Sequence, residues 1–248
     1  MKNNRKSILT FTCAVLLLSF ALRAEETCPV EVKLLLSPPT IQTAIASFSF
    51  KKETATRVYF FDSDALDLLK QGVIVRIRQG ADNDLTVKVR VPEGNERVET
   101  AQLRGLFPCE IDRTGGGENT SYSVVRKYKT LQVPETGNDI FTLLSPLQTR
   151  LLREVRASTD WSRVVQIANI KSTKWVAASQ STFRKLALEL WVWPAGSILE
   201  ISAKVSPDAG PAKYSELQRL VNTKGLSLSA KQGTKTRAVL ETLTGRGK

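Results

Sequence analysis

Between residues 73 and 90 apolar and polar positions alternate twice, on either side of Gly80-Ala81-Asp82-Asn83-Asp84. Successive side chains of a strand point to opposite faces. Arg76 and Arg78 therefore share one face, as do Thr86, Lys88 and Arg90, while Val73, Val75, Ile77, Leu85, Val87 and Val89 take the other. The pattern predicts a hairpin. A symmetric closure sets Arg78 opposite Thr86 and Arg76 opposite Lys88. Like charges directly opposite on a sheet are destabilising, so that register calls for a counter-charge. Water around an outward basic face supplies one answer, and a bound polyanion supplies the other.

Alternation predicts further strands over 30–36, 57–61, 107–113, 122–131, 170–177, 183–193 and 197–205. Ile140, Leu143, Leu144, Leu147, Leu151 and Leu152 recur at helical spacing and predict one helix over 139–156. Shorter helices are expected over 40–49, 64–71 (stopped by Gly72), 160–168 (capped by Thr159 or Asp160) and 214–222, with Gly225 as a stop signal. No linker or repeat divides residues 25–248, which read as one domain. The fold class is α+β: an antiparallel β-barrel with a partly wet interior and helices packed outside.

The parity of the other strands supports that interior. Glu31 and Lys33 share a face opposite Val30, Val32 and Leu34; Glu110 and Asp112 lie opposite Cys109 and Ile111. Glu189 opposes Leu188 and Leu190, and Glu200, Ser202 and Lys204 oppose Leu199, Ile201 and Ala203. Any one such strand fits a half-solvated sheet. Ionic faces on five or six strands fit a second enclosure, with apolar faces under helices and cations and carboxylates turned inward. Trp191 and Trp193 share the side of Glu189, either as packing or at a tunnel mouth.

Residues 1–24 have a basic start (Lys2, Arg5, Lys6) and an apolar run to Leu22, the pattern of a secretory signal. An uncleaved anchor is the alternative, but the run falls short of the ~20 residues that span a bilayer. The expectation is an exported protein of the bacterial periplasm or exterior, with no transmembrane domain in the mature chain. Export removes Lys2, Arg5, Lys6 and Arg23. The chain's 36 basic residues less these four leave 32 against 24 acidic ones, a net +8. Such a surplus favours anionic partners, with a phosphorylated ligand ahead of nucleic acid. Histidine is absent, which excludes His-based triads and His-ligated zinc. Gly115-Gly116-Gly117 lacks the Lys-Ser/Thr of a phosphate loop, and residues 231–237 read as a solvated basic segment.

Here the motifs resemble a family, the CYTH superfamily of triphosphate tunnel metalloenzymes. Its Glu-x-Glu-x-Lys signature is similar to Pro29-Val30-Glu31-Val32-Lys33. Its aromatic-Phe-Asp-Thr segment resembles Tyr59-Phe60-Phe61-Asp62-Ser63. Its Leu-x-x-x-Gly-x-x-x-Arg-x-Arg run is matched from Leu68 through Gly72 to Arg76 and Arg78, followed by Lys88 and Arg90. Cys109-Glu110-Ile111-Asp112, Leu188-Glu189 and Leu199-Glu200-Ile201-Ser202 resemble its acidic strands. The resemblance implies an eight-stranded antiparallel tunnel that binds, and with Mg or Mn hydrolyses, triphosphate or another short polyphosphate. Lys33, Arg76, Arg78, Lys88 and Arg90 then bind phosphate oxygens, with Lys171 or Lys174 as a further contact. Glu31, Glu110, Asp112, Glu189 and Glu200 hold the metal. Pro29 and Ser202 stand where the family has Glu, which thins the metal side and leaves a non-catalytic phosphate-binding module as the alternative. Cys28 and Cys109 share the outer parity of their strands, and a disulfide between them is expected.

Overall fold

The computed structural model describes residues 27–81, 83–92, 100–177, 183 and 185–243; the leader-like segment 1–24 lies outside them. In chain order the elements are β1 (Val30–Leu36), α1 (Ile41–Ser47), β2 (Lys51–Asp62), α2 (Asp67–Lys70), β3 (Val73–Gly80), β4 (Asp84–Pro92), α3 (Thr100–Arg104) and β5 (Cys109–Thr114). They continue with β6 (Gly117–Lys127), α4 (Gly137–Leu143), α5 (Pro146–Glu154), β7 (Val165–Ala177), β8 (Leu186–Trp193), β9 (Gly196–Val205), α6 (Gly210–Thr223) and α7 (Lys235–Leu243). The strands close into a barrel in the order β1-β5-β6-β4-β3-β2-β7-β8-β9, with β9 returning to β1.

Nine strands, rather than eight, close the barrel among the described residues. The β1–β5 pair is parallel and has only three register positions, Val30↔Ile111 to Val32↔Arg113. Every other ladder is antiparallel. Two apolar clusters cover the outside. One packs Tyr59, Val75, Ile77, Val87 and Tyr122 against Ile140, Leu151 and Leu152 of α4 and α5. The other packs Val30, Val32, Leu34, Leu188 and Ile201 under α1 and α6 through Ala44, Phe48, Leu217 and Val221. A third cluster joins inward-facing Val58, Phe60, Ile74, Ile170, Trp191 and Trp193 to Val239 and Leu240 of α7. That helix therefore packs against one end of the interior, and the ionic part lies beyond it.

Three local expectations are corrected. The hairpin register is offset, so that Arg76 faces Thr86, Arg78 faces Asp84 and Lys88 faces Ile74. The closing segment shifts by one residue, from 80–84 to 79–83, and Asp84 joins the ladder opposite Arg78 instead of the turn. No like charges oppose each other there. The single helix over 139–156 is two helices. Pro146 occupies the first turn of α5 and Ser145, extended at φ −73° and ψ 157°, caps it through a capping box with Gln148, as proline restricts the residue before it. Asp160 caps only a single 3₁₀ turn, Trp161–Arg163, after which β7 runs for 13 residues.

The Phe61-Asp62-Ser63 segment has a structural task. The buried Asp62 carboxylate accepts backbone N–H groups of Ser63, Leu68 and Leu69, tying α2 to the end of β2. The chain then turns through Gly72 at φ +76°, where a Cβ would come within 2.3 Å of the Arg90 carbonyl oxygen. Only glycine suits that position, and it delivers β3 with Arg76 and Arg78 facing the interior.

Candidate functional site: an ionic cavity inside the barrel

A cavity of about 260 Å³ occupies the barrel interior. Its walls carry Lys33 from β1, Arg76 and Arg78 from β3, Lys88 and Arg90 from β4, and Lys174 from β7. The same cavity is lined by Glu31, Glu110, Glu189 and Glu200. Asp112 lies just behind, fully buried. The sequence-predicted residues are thus brought together from seven strands. Lys171 instead points away with the outward parity of β7; Trp191 lines the cavity where it meets the apolar cluster, and Trp193 belongs to that cluster.

The cations differ in how they are satisfied. Lys33 Nζ donates to Asp112 Oδ1 at 2.5 Å and lies 2.8 Å from Glu31 Oε2. Burial opposes its charge, but Asp112, Glu31, Glu200 and Glu110 outweigh burial and hold its pKa above the ordinary lysine value. Lys88 Nζ donates to Asp112 Oδ2 at 3.0 Å, yet burial, with Lys33 and Arg90 nearby, brings its pKa down to about 8. Arg90 donates to Thr234 Oγ1 at 3.2 Å, with its Nε 3.8 Å from Asp112. Arg78 is 3.9 Å from Asp84. Arg76 is different: its Nε, like that of Arg90, is buried with no hydrogen-bond partner, but Arg76 makes no hydrogen bond or ion pair through its other nitrogens either, among the described residues. Burial and then Arg78 push its pKa downward.

The carboxylates fall into two groups. Glu31, Glu110 and Asp112 each bring an oxygen within 4.8 Å of the others. Each also carries a cation: Lys33 on Glu31, Lys204 on Glu110 at 3.0 Å, and Lys33 with Lys88 on Asp112. Ser202 Oγ donates to Glu31 Oε1 at 2.9 Å. Despite burial, Lys33, Lys88 and Arg90 hold the Asp112 carboxyl well below the usual range. The second group is Glu189 and Glu200, directly opposite each other across β8 and β9. Both are bound by the ammonium of Lys235.

An all-oxygen set of three carboxylates suits a hard divalent cation such as Mg²⁺ or Mn²⁺. The fit is conditional on exchange. The oxygens that would face an ion now accept from Lys33, Lys88 and Lys204, so a metal at this trio must displace ammonium groups.

Parity placed Lys204 on the ionic face with Glu200 without assigning it a role, and sequence reasoning missed Thr234, Lys235 and Thr236 as lining residues. Lys235 corrects the expectation of a solvated basic segment: its side chain is largely buried, 13% exposed. The available signal was helical spacing, because Lys235 lies one turn before Val239 on the face that packs inward.

Cys28 and Cys109 are joined by a disulfide with a Cα–Cα distance of 5.2 Å. It lies at the end of the short β1–β5 ladder, next to Glu110.

A search among curated proteins found no match. Among solved structures, a candidate adenylyl cyclase from Hippeastrum, HpAC1, described as having a dominant triphosphatase activity, superposes with a TM-score of 0.57. It is 18% identical, and the alignment covers 84% of this chain and 93% of that one. A candidate adenylate cyclase from Bacillus halodurans gives a TM-score of 0.55 at 17% identity, covering 85% and 96%. These likenesses establish a shared fold. The family model for the CYTH domain matches residues 29–170, more than half of the sequence, and the chain belongs to the CYTH domain family.

Proposed function

We propose that this chain binds triphosphate, or another short phosphorylated anion, in the barrel cavity and hydrolyses it with a divalent metal, Mg²⁺ or Mn²⁺. The observation that carries the reading is Arg76, a cation in the wall whose buried Nε has no partner. A buried polar group without a partner costs about 1–3 kcal/mol, more if charged, and an oxyanion removes that cost. Counting Asp84 and Asp112 behind the wall, eight cations meet six carboxylates among the described residues. That leaves a surplus of two positive charges for an anionic ligand. The activity described for HpAC1 points the same way.

Binding and metal uptake then support each other. Phosphate oxygens offer Lys33 and Lys88 new acceptors, which frees oxygens of Asp112 and Glu31 for a cation. Charge-assisted hydrogen bonds from Arg76, Arg78 and Arg90 fix the phosphoryl chain and offset charge that develops on transfer. A bound metal supplies charge neutralisation and a more acidic water. Phosphate release from inorganic triphosphate with Mg²⁺ or Mn²⁺, followed with malachite green, tests turnover. Heat stabilisation by triphosphate tests binding.

One observation favours a second reading, a binding module without turnover. Glu189 and Glu200 are already occupied by Lys235, while Pro29 and Ser202 supply no carboxylate. Stabilisation by triphosphate with no phosphate release under either metal selects this reading; neither effect rejects both. Secretion through residues 1–24 into a bacterial periplasm or exterior is part of the proposal. It is supported by the signal-like pattern and by a disulfide suited to an oxidising compartment, and is tested by fractionating cells that express the full chain.

A further inference from the structure

Glu189 and Glu200 form a like-charge pair in direct register across β8 and β9. Glu200 is 5% exposed, so water screens the repulsion weakly. The pair is bridged by a cation that no barrel strand carries. Lys235, the first residue of α7, places its ammonium on both carboxylates, 2.8 Å from Glu200 Oε1 and in contact with Glu189 Oε2. The arrangement is built around that ammonium. Its Nζ also stands 4.7 Å from the centroid of the Trp191 ring, a face that attracts an organic cation. Trp191 Nε1 and Ser172 Oγ donate to Glu189 Oε1 at 2.7 and 2.8 Å, which orients that carboxylate. The helix is held in place by Val239 and Leu240, packed with Phe60 and Trp191.

We propose that Lys235 is a tethered counter-cation that occupies the Glu189–Glu200 pair and excludes a divalent metal from it. Metal uptake is then confined to the Glu31–Glu110–Asp112 end of the cavity. The two ends differ in kind. At the trio, Lys33, Lys88 and Lys204 stem from barrel strands and can turn to an arriving phosphate. At the pair, the ammonium is delivered by a helix anchored in an apolar cluster, beside an aromatic face that offers a divalent ion no oxygen. The inference concerns metal distribution and does not require that the ligand be triphosphate.

The test is a manganese titration of the purified chain without any phosphate compound, followed by electron paramagnetic resonance of free Mn²⁺. The wild-type chain is expected to take up at most one Mn²⁺. Lys235→Met keeps the stem against Trp191 and removes the charge, and is expected to take up one more ion per chain. Lys235→Arg should behave as wild type, and Lys235→Met combined with Glu200→Gln should lose the added ion. Circular dichroism confirms that each variant is folded. Two ions on the wild-type chain overturn the proposal whatever the variants do, as does a folded Lys235→Met chain with no added ion. A result on triphosphate binding in either direction leaves this measurement unaffected.

Discussion

Lys33 and Asp112 meet across the parallel β1–β5 ladder, where Glu31 lies in register with Asp112 and the lysine one turn of the pleat further on donates to it at 2.5 Å. Asp112 is the anion on which Lys33, Lys88 and Arg90 converge, and it has no solvent exposure. Breaking a buried ion pair by removing one partner costs about 3–5 kcal/mol, because the surviving charge is left uncompensated. Asp112→Asn is therefore expected to lower unfolding stability by about that amount in urea. Triphosphate should restore more stability to the variant than it adds to the wild type, since it supplies the missing negative charge. A loss below about 1 kcal/mol would contradict the role given to Asp112.

Arg76→Met should act in the opposite direction. The variant removes a buried cation with an unpaired Nε that lies close to Arg78, so stability should stay level or rise. Triphosphate binding should weaken by one to two orders of magnitude, as expected for about 1.5–3 kcal/mol from a hydrogen bond to a charged group. Paired urea unfolding and calorimetric titration check both signs. Loss of stability together with unchanged affinity would show Arg76 to be a structural cation only.

The wall was legible because barrel strands carry their information in parity. Glu31, Lys33, Arg76, Lys88, Glu110 and Glu200 alternate with apolar residues, and both faces of each strand are buried in different ways. Register was less legible. The odd-length connection after Gly80 allowed a symmetric closure, and only the tertiary choice of Asp84 as partner for Arg78 decides against it. The break at Pro146 was written in the sequence but hidden by a leucine pattern that two successive helices satisfy equally well. Lys235 was the least accessible. Its basic neighbourhood reads as a solvated segment; the spacing to Val239 marks a shared helix face, but which part of the barrel that face covers is set by tertiary packing.

The disulfide clasps the weakest seam of the barrel, three parallel register pairs between β1 and β5. Its two cysteines are separated by 81 positions, and closing a loop of that size removes about 4 kcal/mol of unfolded-state entropy. Reduction, or the Cys28→Ser/Cys109→Ser double variant, is expected to lower stability by about 2–5 kcal/mol. Because Glu31 and Glu110 flank the seam, Mn²⁺ affinity should fall with it. Urea midpoints with and without reductant, alongside a free-thiol count of zero in an oxidised chain lacking residues 1–24, make the check.

Lys88 ties ligand binding to pH. Burial sets its pKa near 8 in the folded chain, below the ordinary lysine value of about 10.4. A phosphate oxygen against the ammonium favours the charged form, so binding above pH 8 must draw in a proton. Triphosphate affinity is thus expected to fall as pH rises through 8. Calorimetric titrations at pH 9 in two buffers of different ionisation enthalpy should report net proton uptake that shrinks toward pH 7. Stability carries the opposite slope. Between the folded and unfolded pKa values the unfolded chain binds the proton that the folded chain has released, so the contribution of Lys88 to stability rises with pH. Lys88→Arg stays charged throughout, retains the ligand's own titration and should remove the remaining uptake. Equal proton uptake in the wild-type and Lys88→Arg chains would assign the linkage to another group.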